Sequence, residues 1–414
     1  MNFPLSKKNN TPRLLLLMLL LGILLRIIIT CFFLNDGFVW PDEEEQYYPQ
    51  ALKLYSENIW GDNTKIMPFL PTLLAFLFYF TSGDLLVTRL LLALLSSSLI
   101  VITYFLAKEI FNSKVALLSS FICACYPLIV FSSGLLLPEM CFTTLMCLGI
   151  LCLIKANGRP KSFALAGLVI GIASLTISIT VIFFIAIVLM IVIKKSVTLK
   201  INKFTSVSSF ILTYCLVLCI WGARNYYVIG EFYVVKSNYG EVLHLHNNQY
   251  ASGFTRKENQ MNKEKYFKEL EEKIKNKTRI EGNRIYLNEA LSFVMEHPFG
   301  FFRLCIERFF NLFRLYAGTI SSNNFTSNLV SIISIITIGP VLLFSFIGMF
   351  YALQDWKNHI YVIIYFMSLI IIFSIIRSSI RARLPLEPFL IIYASSGFFI
   401  IIKNIRNLIN KKAQ

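Results

Sequence analysis

FVWPDEEEQYYPQALKLYSENIW, residues 38–60, carries four consecutive carboxylates, Asp42, Glu43, Glu44 and Glu45, between Trp40-Pro41 and Gln46-Tyr47-Tyr48. The chain around it is 56% hydrophobic and only 15% charged, so an acidic cluster directly after a long apolar run needs a reason. Asp42 with Glu45 three residues on has capping-box spacing, and acids in a first turn suit the helix dipole. Pro49 lacks a backbone donor and predicts that the helix breaks there. Beyond it Ala51, Leu52, Leu54, Tyr55 and Ile59 form an apolar stripe at helical spacing, as in a helix lying on a membrane surface. The competing reading is an acid/base centre held at that surface. The rest of the chain decides between them.

With 414 residues, 37 Phe and a mean hydropathy of +0.65, the chain reads as a polytopic membrane protein. Its net charge of +16 lies mostly in short loops between apolar runs, which signals topology rather than nucleic-acid binding. The nine cysteines form no disulfide framework. Most fall inside apolar runs, where cysteine behaves as a small hydrophobe. The first apolar run, 14–34, follows Lys7, Lys8 and Arg13, is long and lacks a small-residue cleavage site, so it reads as a retained span.

Candidate spans are 14–34, 86–107, 115–133, 137–154, 162–177, 179–193, 204–221, 329–352, 359–376 and 384–402. The run 66–80, with Pro68 and Pro71, is short and reads as re-entrant or interfacial. Leaving it out keeps the basic loop 155–161 cytoplasmic. The run 162–193 has basic flanks on both sides and reads as two short crossings turning near Ser174–Thr180. An all-α protein of about ten transmembrane helices plus interfacial helices follows, with both termini inside. It divides into a membrane module (1–221) with its first outer loop at 35–85, an outer and mainly helical loop region (222–328), and C-terminal spans with a cytoplasmic tail (329–414). Within the loop, 297–316 mixes Phe with Arg303, Glu307, Arg308 and Arg314, the pattern of a surface-lying amphipathic helix.

Several charges then meet at the outer face. Arg26 lies in the outer half of the first span, where an ionisable group is costly and needs a partner or a polar cavity. Arg89 opens the second span, Lys65 follows the acidic loop, Arg224 closes the seventh span, and Arg377, Arg381 and Arg383 precede the last. Singly, each of these fits an interfacial anchor. Together with the carboxylates they suit an anionic lipid headgroup reacting with a neutral nucleophile. Glu139, after Pro138, is a helix cap or a second acid. His244 and His246 would share one face of a strand, but no third ligand lies near, and no metal or other cofactor is indicated. No phosphate-cradling Gly-rich loop, nucleotide fingerprint or Ser/His/Asp pattern is present, which argues against a nucleotide-sugar donor and an ATP-driven pump.

PDEEEQ in the first outer loop, TRLLLALLSSSLIVITYFLAKEIFNSKVALLSSFICACYPLIVFSSGLLLPE, WGARNYYVIGEFYVVKSNYGEVLHLHNN, NEALSFVMEHPFGFFRLCIERFF and RARLPLEPFLIIYAS occur in that order. The chain so resembles the GT-C membrane glycosyltransferases, most closely the bacterial branch similar to protein O-mannosyltransferases and lipid A aminoarabinose transferases. The resemblance implies transfer of a hexose or pentose from a polyprenyl-phosphate donor to an extracytoplasmic lipid, glycan or protein acceptor, usually with inversion, in a bacterial inner membrane. It puts the family's Asp-Glu pair on Asp42 and Glu43 and its donor-phosphate lysine on Lys65, while Glu139 is a further catalytic candidate by its position alone. Arg26, Arg89, Arg224, Arg381 and Arg383 are the other candidates for binding the donor phosphate. Two departures bear on the branch: Gln46 stands where a tyrosine is often found, and His246-Asn247-Asn248 replaces Gly-Asn-Asn. The rival functions are a transporter or flippase for a lipid-linked glycan, which needs no catalytic base, and a glycan ligase, which usually places its key Arg and His in the long loop.

Overall fold

The computed structural model describes residues 11–61, 63–193, 203–252, 260–315 and 324–412. The protein is a helical membrane protein, and no strand occurs among the described residues. In chain order the helices are α1 (Thr11–Phe33), α2 (Tyr48–Glu57), α3 (Phe69–Thr81), α4 (Leu85–Ser96), α5 (Ser98–Ile110), α6 (Ser113–Cys125), α7 (Pro127–Ser132), α8 (Pro138–Lys155), α9 (Pro160–Ser174) and α10 (Thr180–Ile193). There follow α11 (Lys203–Ile229), α12 (Tyr239–His246), α13 (Gln260–Ile274), α14 (Arg279–Glu296), α15 (Pro298–Leu312), α16 (Asn324–Ala352), α17 (Ile360–Ile375), α18 (Ile380–Arg383) and α19 (Glu387–Lys412). Six helical stretches among the described residues are long and apolar enough to cross a membrane: 11–33, 85–110, 138–155, 204–229, 332–355 and 380–411. The remaining expected spans are shorter apolar helices, as is α3. The run 162–193 forms two helices, α9 and α10, separated near Ser174–Thr180 as its polar residues indicate.

Local chemistry sets the ends. Asp84 accepts a hydrogen bond from the Val87 N–H and starts α4, and Asn112 accepts from the N–H groups of Lys114 and Val115 and starts α6. Thr278 and Glu281 form a full capping box on α14. Another expected span is broken by an extended residue. The run 115–133 divides at Tyr126, which is extended ahead of Pro127, because the proline ring disfavours a helical conformation in the residue before it. The His244–His246 pair sits on α12, not on a strand, so the two rings do not share a face.

Close helix pairs are built on small residues, as expected where lipid removes the hydrophobic drive between helices. α9 meets α11 through Gly167, where an added Cβ would lie 2.4 Å from the Phe210 carbonyl oxygen. α16 meets α19 through Gly348 and Gly397, where it would lie 2.0 Å and 2.1 Å from the Tyr393 and Phe344 carbonyl oxygens. Backbone at these distances cannot swing aside as a side-chain tip can. Gly397→Ala should therefore destabilise the protein by about 1–3 kcal/mol, and Gly397→Leu by more. Thermal unfolding of the purified variants in detergent should show the graded fall in Tm, and an unchanged Tm for Gly397→Leu would refute the packing.

Candidate active site

The acidic turn is held by a residue other than the expected cap. Asp42 makes no capping hydrogen bond, and Asp42 and Glu45 form no capping box. Glu43 does the holding. Its Oε2 accepts from the Val39 N–H at 2.8 Å, the Trp40 N–H at 3.2 Å and Arg89 Nη2 at 3.2 Å, while Oε1 accepts from the Leu136 N–H at 2.7 Å. Arg89 Nη1 donates in turn to the Gly37 carbonyl at 2.8 Å and to that of Leu34. Both side chains are completely buried. A carboxylate removed from water needs such a set of donors, since buried charges persist only when paired and hydrogen-bonded. The pair thus joins the end of α1, the head of the turn, α4 and the segment before α8.

Pro49 does not break the helix. A π-helical turn, Glu43–Tyr47, immediately precedes it, and the wider turn lets the chain run on into α2 with Pro49 in its first turn. The turn points successive carboxylates different ways. Glu43 goes inward, whereas Asp42 stays partly exposed and meets a cation from the far end of the chain. Arg381 Nη1 donates to Asp42 Oδ2 at 3.1 Å, and its Nε and Nη2 donate to Glu139 Oε1 at 3.1 Å and 2.7 Å. The same guanidinium lies over Trp40, 4.9 Å from the ring centroid. Ser379 caps the short helix α18 by accepting from the Ala382 N–H, which fixes the backbone that carries Arg381. Asp42, Glu139 and Arg381 come from three segments, over 90 and 240 residues apart in sequence, and form one cluster. Tyr47 is buried beside it. Burial, then the charges of Glu139 and Asp42, push its pKa up, so the hydroxyl stays protonated.

The other expected cations are dispersed. Arg26 is fully buried between α1 and α6, donating to the carbonyls of Gly22 (3.0 Å) and Ala124 (3.5 Å). Lys65 is exposed and lies 3.7 Å from Glu241 on α12. Arg224 donates to the Gly61 carbonyl and to Asn225 Oδ1 (2.9 Å), and lies over Trp221. Arg383 is buried against Glu387, 2.5 Å away, and donates to the Arg314 carbonyl at 2.8 Å. Among the described residues, Arg89 and Arg381 are the two of the six seen to bond carboxylates of the candidate catalytic set.

Two further residues were not among the candidates that the sequence offered for the site, Lys236 and Arg308, the latter read only as part of an amphipathic helix. Lys236 is half-buried, and the charges acting on it are Glu139, Asp42 and Arg377; burial lowers its pKa. Its signal was faint: it is the one Lys or Arg between Arg224 and Arg256. Arg308, buried on α15, donates to Asn247 Oδ1 (3.1 Å), to the carbonyls of Ser374 (3.2 Å) and Ile375 (2.6 Å), and to that of His246. It joins α12, α15 and the end of α17. His246 has its pKa pushed down to about 4 by burial and by Arg377 and Arg308, so the ring is neutral at pH 7. His244 bonds the Tyr266 hydroxyl at 2.8 Å. Among the described residues no group of three or more His, Cys, Asp and Glu is arranged to hold a metal ion.

Comparison with known proteins agrees with this architecture. Residues 65–221 match the model of the dolichyl-phosphate-mannose-protein mannosyltransferase family. No curated protein sequence matches the chain significantly. Among solved structures, the oligosaccharyltransferase of Archaeoglobus fulgidus in its apo form superposes with a TM-score of 0.58 at 14% identity, covering 98% of this chain and 52% of that one. The same archaeal enzyme, AglB, in complex with an inhibitory peptide and a dolichol-phosphate, gives a TM-score of 0.55 at 13% identity, with coverages of 99% and 52%. ArnT from Cupriavidus metallidurans bound to undecaprenyl phosphate gives 0.45 at 12% identity, with coverages of 92% and 77%. The chain thus spans about half the length of the archaeal structures it matches.

The two neighbouring acids should behave differently on substitution. Glu43→Ala leaves Arg89 and the N–H groups of Val39, Trp40 and Leu136 buried without their acceptor, and should cost about 3–5 kcal/mol. Asp42→Asn, in a partly exposed position, should shift stability by less than about 1 kcal/mol. Tm values of the two variants check this, and equal losses would contradict the division of roles.

Proposed function

We propose that this chain, whose fold is that of the GT-C membrane glycosyltransferases, moves a hexose or pentose from a polyprenyl-phosphate donor to a hydroxyl of a lipid, glycan or protein. The observation that carries the reading is the Asp42–Arg381–Glu139 cluster: two carboxylates and a clamped guanidinium at the head of the acidic turn, whose carboxylates also act on the charge of Lys236. An anionic leaving group and an acceptor proton need opposite partners, and the cluster supplies both kinds.

Asp42 serves as the general base. As the acceptor oxygen bonds to the anomeric carbon, its proton passes to the Asp42 carboxylate. The bond from that carbon to the phosphate oxygen breaks, and its electron pair leaves with the lipid phosphate, whose charge grows from one to about two. Direct displacement of this kind inverts the anomeric centre. Cations aimed at the leaving phosphate stabilise the charge that develops there. Arg381 holds Asp42 and Glu139 in place and contributes to that field. Glu43, enclosed by donors, keeps the turn that presents Asp42. The positive charge of the loops 155–161 and 194–203 supports a cytoplasmic placement for them, hence an extracytoplasmic placement of the cluster, in a bacterial inner membrane.

Two measurements test the reading. Asp42→Asn should stay folded and bind donor while turnover falls by about 10²–10⁴. The assay is product formation from polyprenyl-phosphate sugars by purified protein, and near-normal activity would remove Asp42 from the chemistry. Cysteines introduced at the exposed positions Ser56 and Glu272 should both react with an impermeant thiol reagent applied to intact cells. Reaction at only one of them would break the topology.

A further inference from the structure

The lysine that the resemblance assigns to the donor phosphate is engaged elsewhere, since Lys65 is exposed and paired with Glu241 at 3.7 Å. A second lysine stands close by. The Ser237 N–H donates to the Thr64 carbonyl at 3.0 Å, and the hydroxyls of Thr64 and Ser237 lie 2.7 Å apart and buried. Arg279 donates to the same Thr64 hydroxyl at 3.0 Å. These bonds fix the 236–237 backbone against the residue that precedes Lys65. Lys236 itself is half-buried, is acted on by Asp42, Glu139 and Arg377, and forms no ion pair within 4 Å among the described residues.

Asp42 and Glu139 are both bonded to Arg381, whereas Lys236 and Arg377 have no carboxylate within 4 Å among the described residues and remain free to meet an anion. A glycosyl phosphodiester carries one negative charge. Lys236 is the less exposed of the two unpaired cations, and a partly desolvated ammonium binds an anion more strongly than one in water. We infer that Lys236, supported by Arg377, binds the phosphate of the lipid donor in this protein, and that Lys65 instead fastens the loop to α12. The inference rests on the donor class proposed above. Departure of the lipid phosphate raises the negative charge beside Lys236, so its contribution grows along the reaction. Burial lowers the pKa of Lys236, whereas an arginine at that position would stay charged.

The test is binding of undecaprenyl phosphate, measured by native mass spectrometry, with undecaprenol as the uncharged control. Lys236→Gln should weaken binding of the phosphate by about 10- to 100-fold, the range for hydrogen bonds to charged groups. Lys65→Gln should change it less than about 5-fold. Lys236→Arg should restore most of the affinity. Loss in Lys65→Gln with none in Lys236→Gln would overturn the inference, as would a folded Lys236→Arg that binds as weakly as Lys236→Gln. A wild type that binds undecaprenyl phosphate no better than undecaprenol would instead overturn the donor class itself.

Discussion

A buried ion pair, Glu43 with Arg89, governs the membrane face of this protein. Neither group touches water, and together they gather five backbone groups: the N–H of Val39, Trp40 and Leu136 and the carbonyls of Leu34 and Gly37. Desolvating two charges is expensive, so the pair persists only because nearly every donor and acceptor around it is matched. The geometry that results is specific. The end of α1, the acidic turn, the first turns of α4 and the lead into α8 are set relative to one another by this one ion pair. Asp42 and Glu139, the residues on the two segments so joined, are consequently brought within reach of one guanidinium.

The division of labour among neighbouring acids follows from the π turn. In a regular turn, successive side chains advance by about 100°, and the wider π turn alters that advance while absorbing Pro49. Glu43 is directed into the protein and Asp42 outward to Arg381. The arginines divide likewise. Arg308 and Arg383 donate to carbonyls at the ends of α12, α15 and α17, closing helix termini that would otherwise leave orphan acceptors in a low-dielectric setting, and Arg383 is also paired with Glu387. Arg381, on the same short segment as Arg383, is instead kept by Asp42 and Glu139, the carboxylates of the candidate site. Two positions along the chain therefore separate a scaffold cation from a site cation.

Much of this architecture was legible in the sequence. Apolar runs of membrane length, a short Pro-bearing run, and a polar interruption at Ser174–Thr180 dictated a helical membrane protein, because a backbone in lipid must satisfy its own hydrogen bonds. The carboxylates at 42–45 marked where chemistry could reside, because uncompensated charge next to a span is otherwise disfavoured. The motif order further identified the GT-C architecture that the fold bears out. Interruptions of single helices were less legible. Tyr126-Pro127 divides a run that hydropathy treats as one, whereas Pro49 interrupts nothing, since backbone hydrogen bonding rather than side-chain polarity decides both.

What the sequence by itself determined is therefore the helical membrane class, the position of the acidic turn and the inventory of charges available to it. Which charge meets which was decided by tertiary structure alone. Arg381 lies 339 residues from Asp42, and Lys236 is placed by the pairing of Ser237 with Thr64, 173 residues away. Sequence spacing within one helix or turn constrains partners a few positions apart, but contacts of this span depend on how whole helices dock. The low dielectric then amplifies each such contact, so a small difference in docking separates a structural ion pair from a binding site.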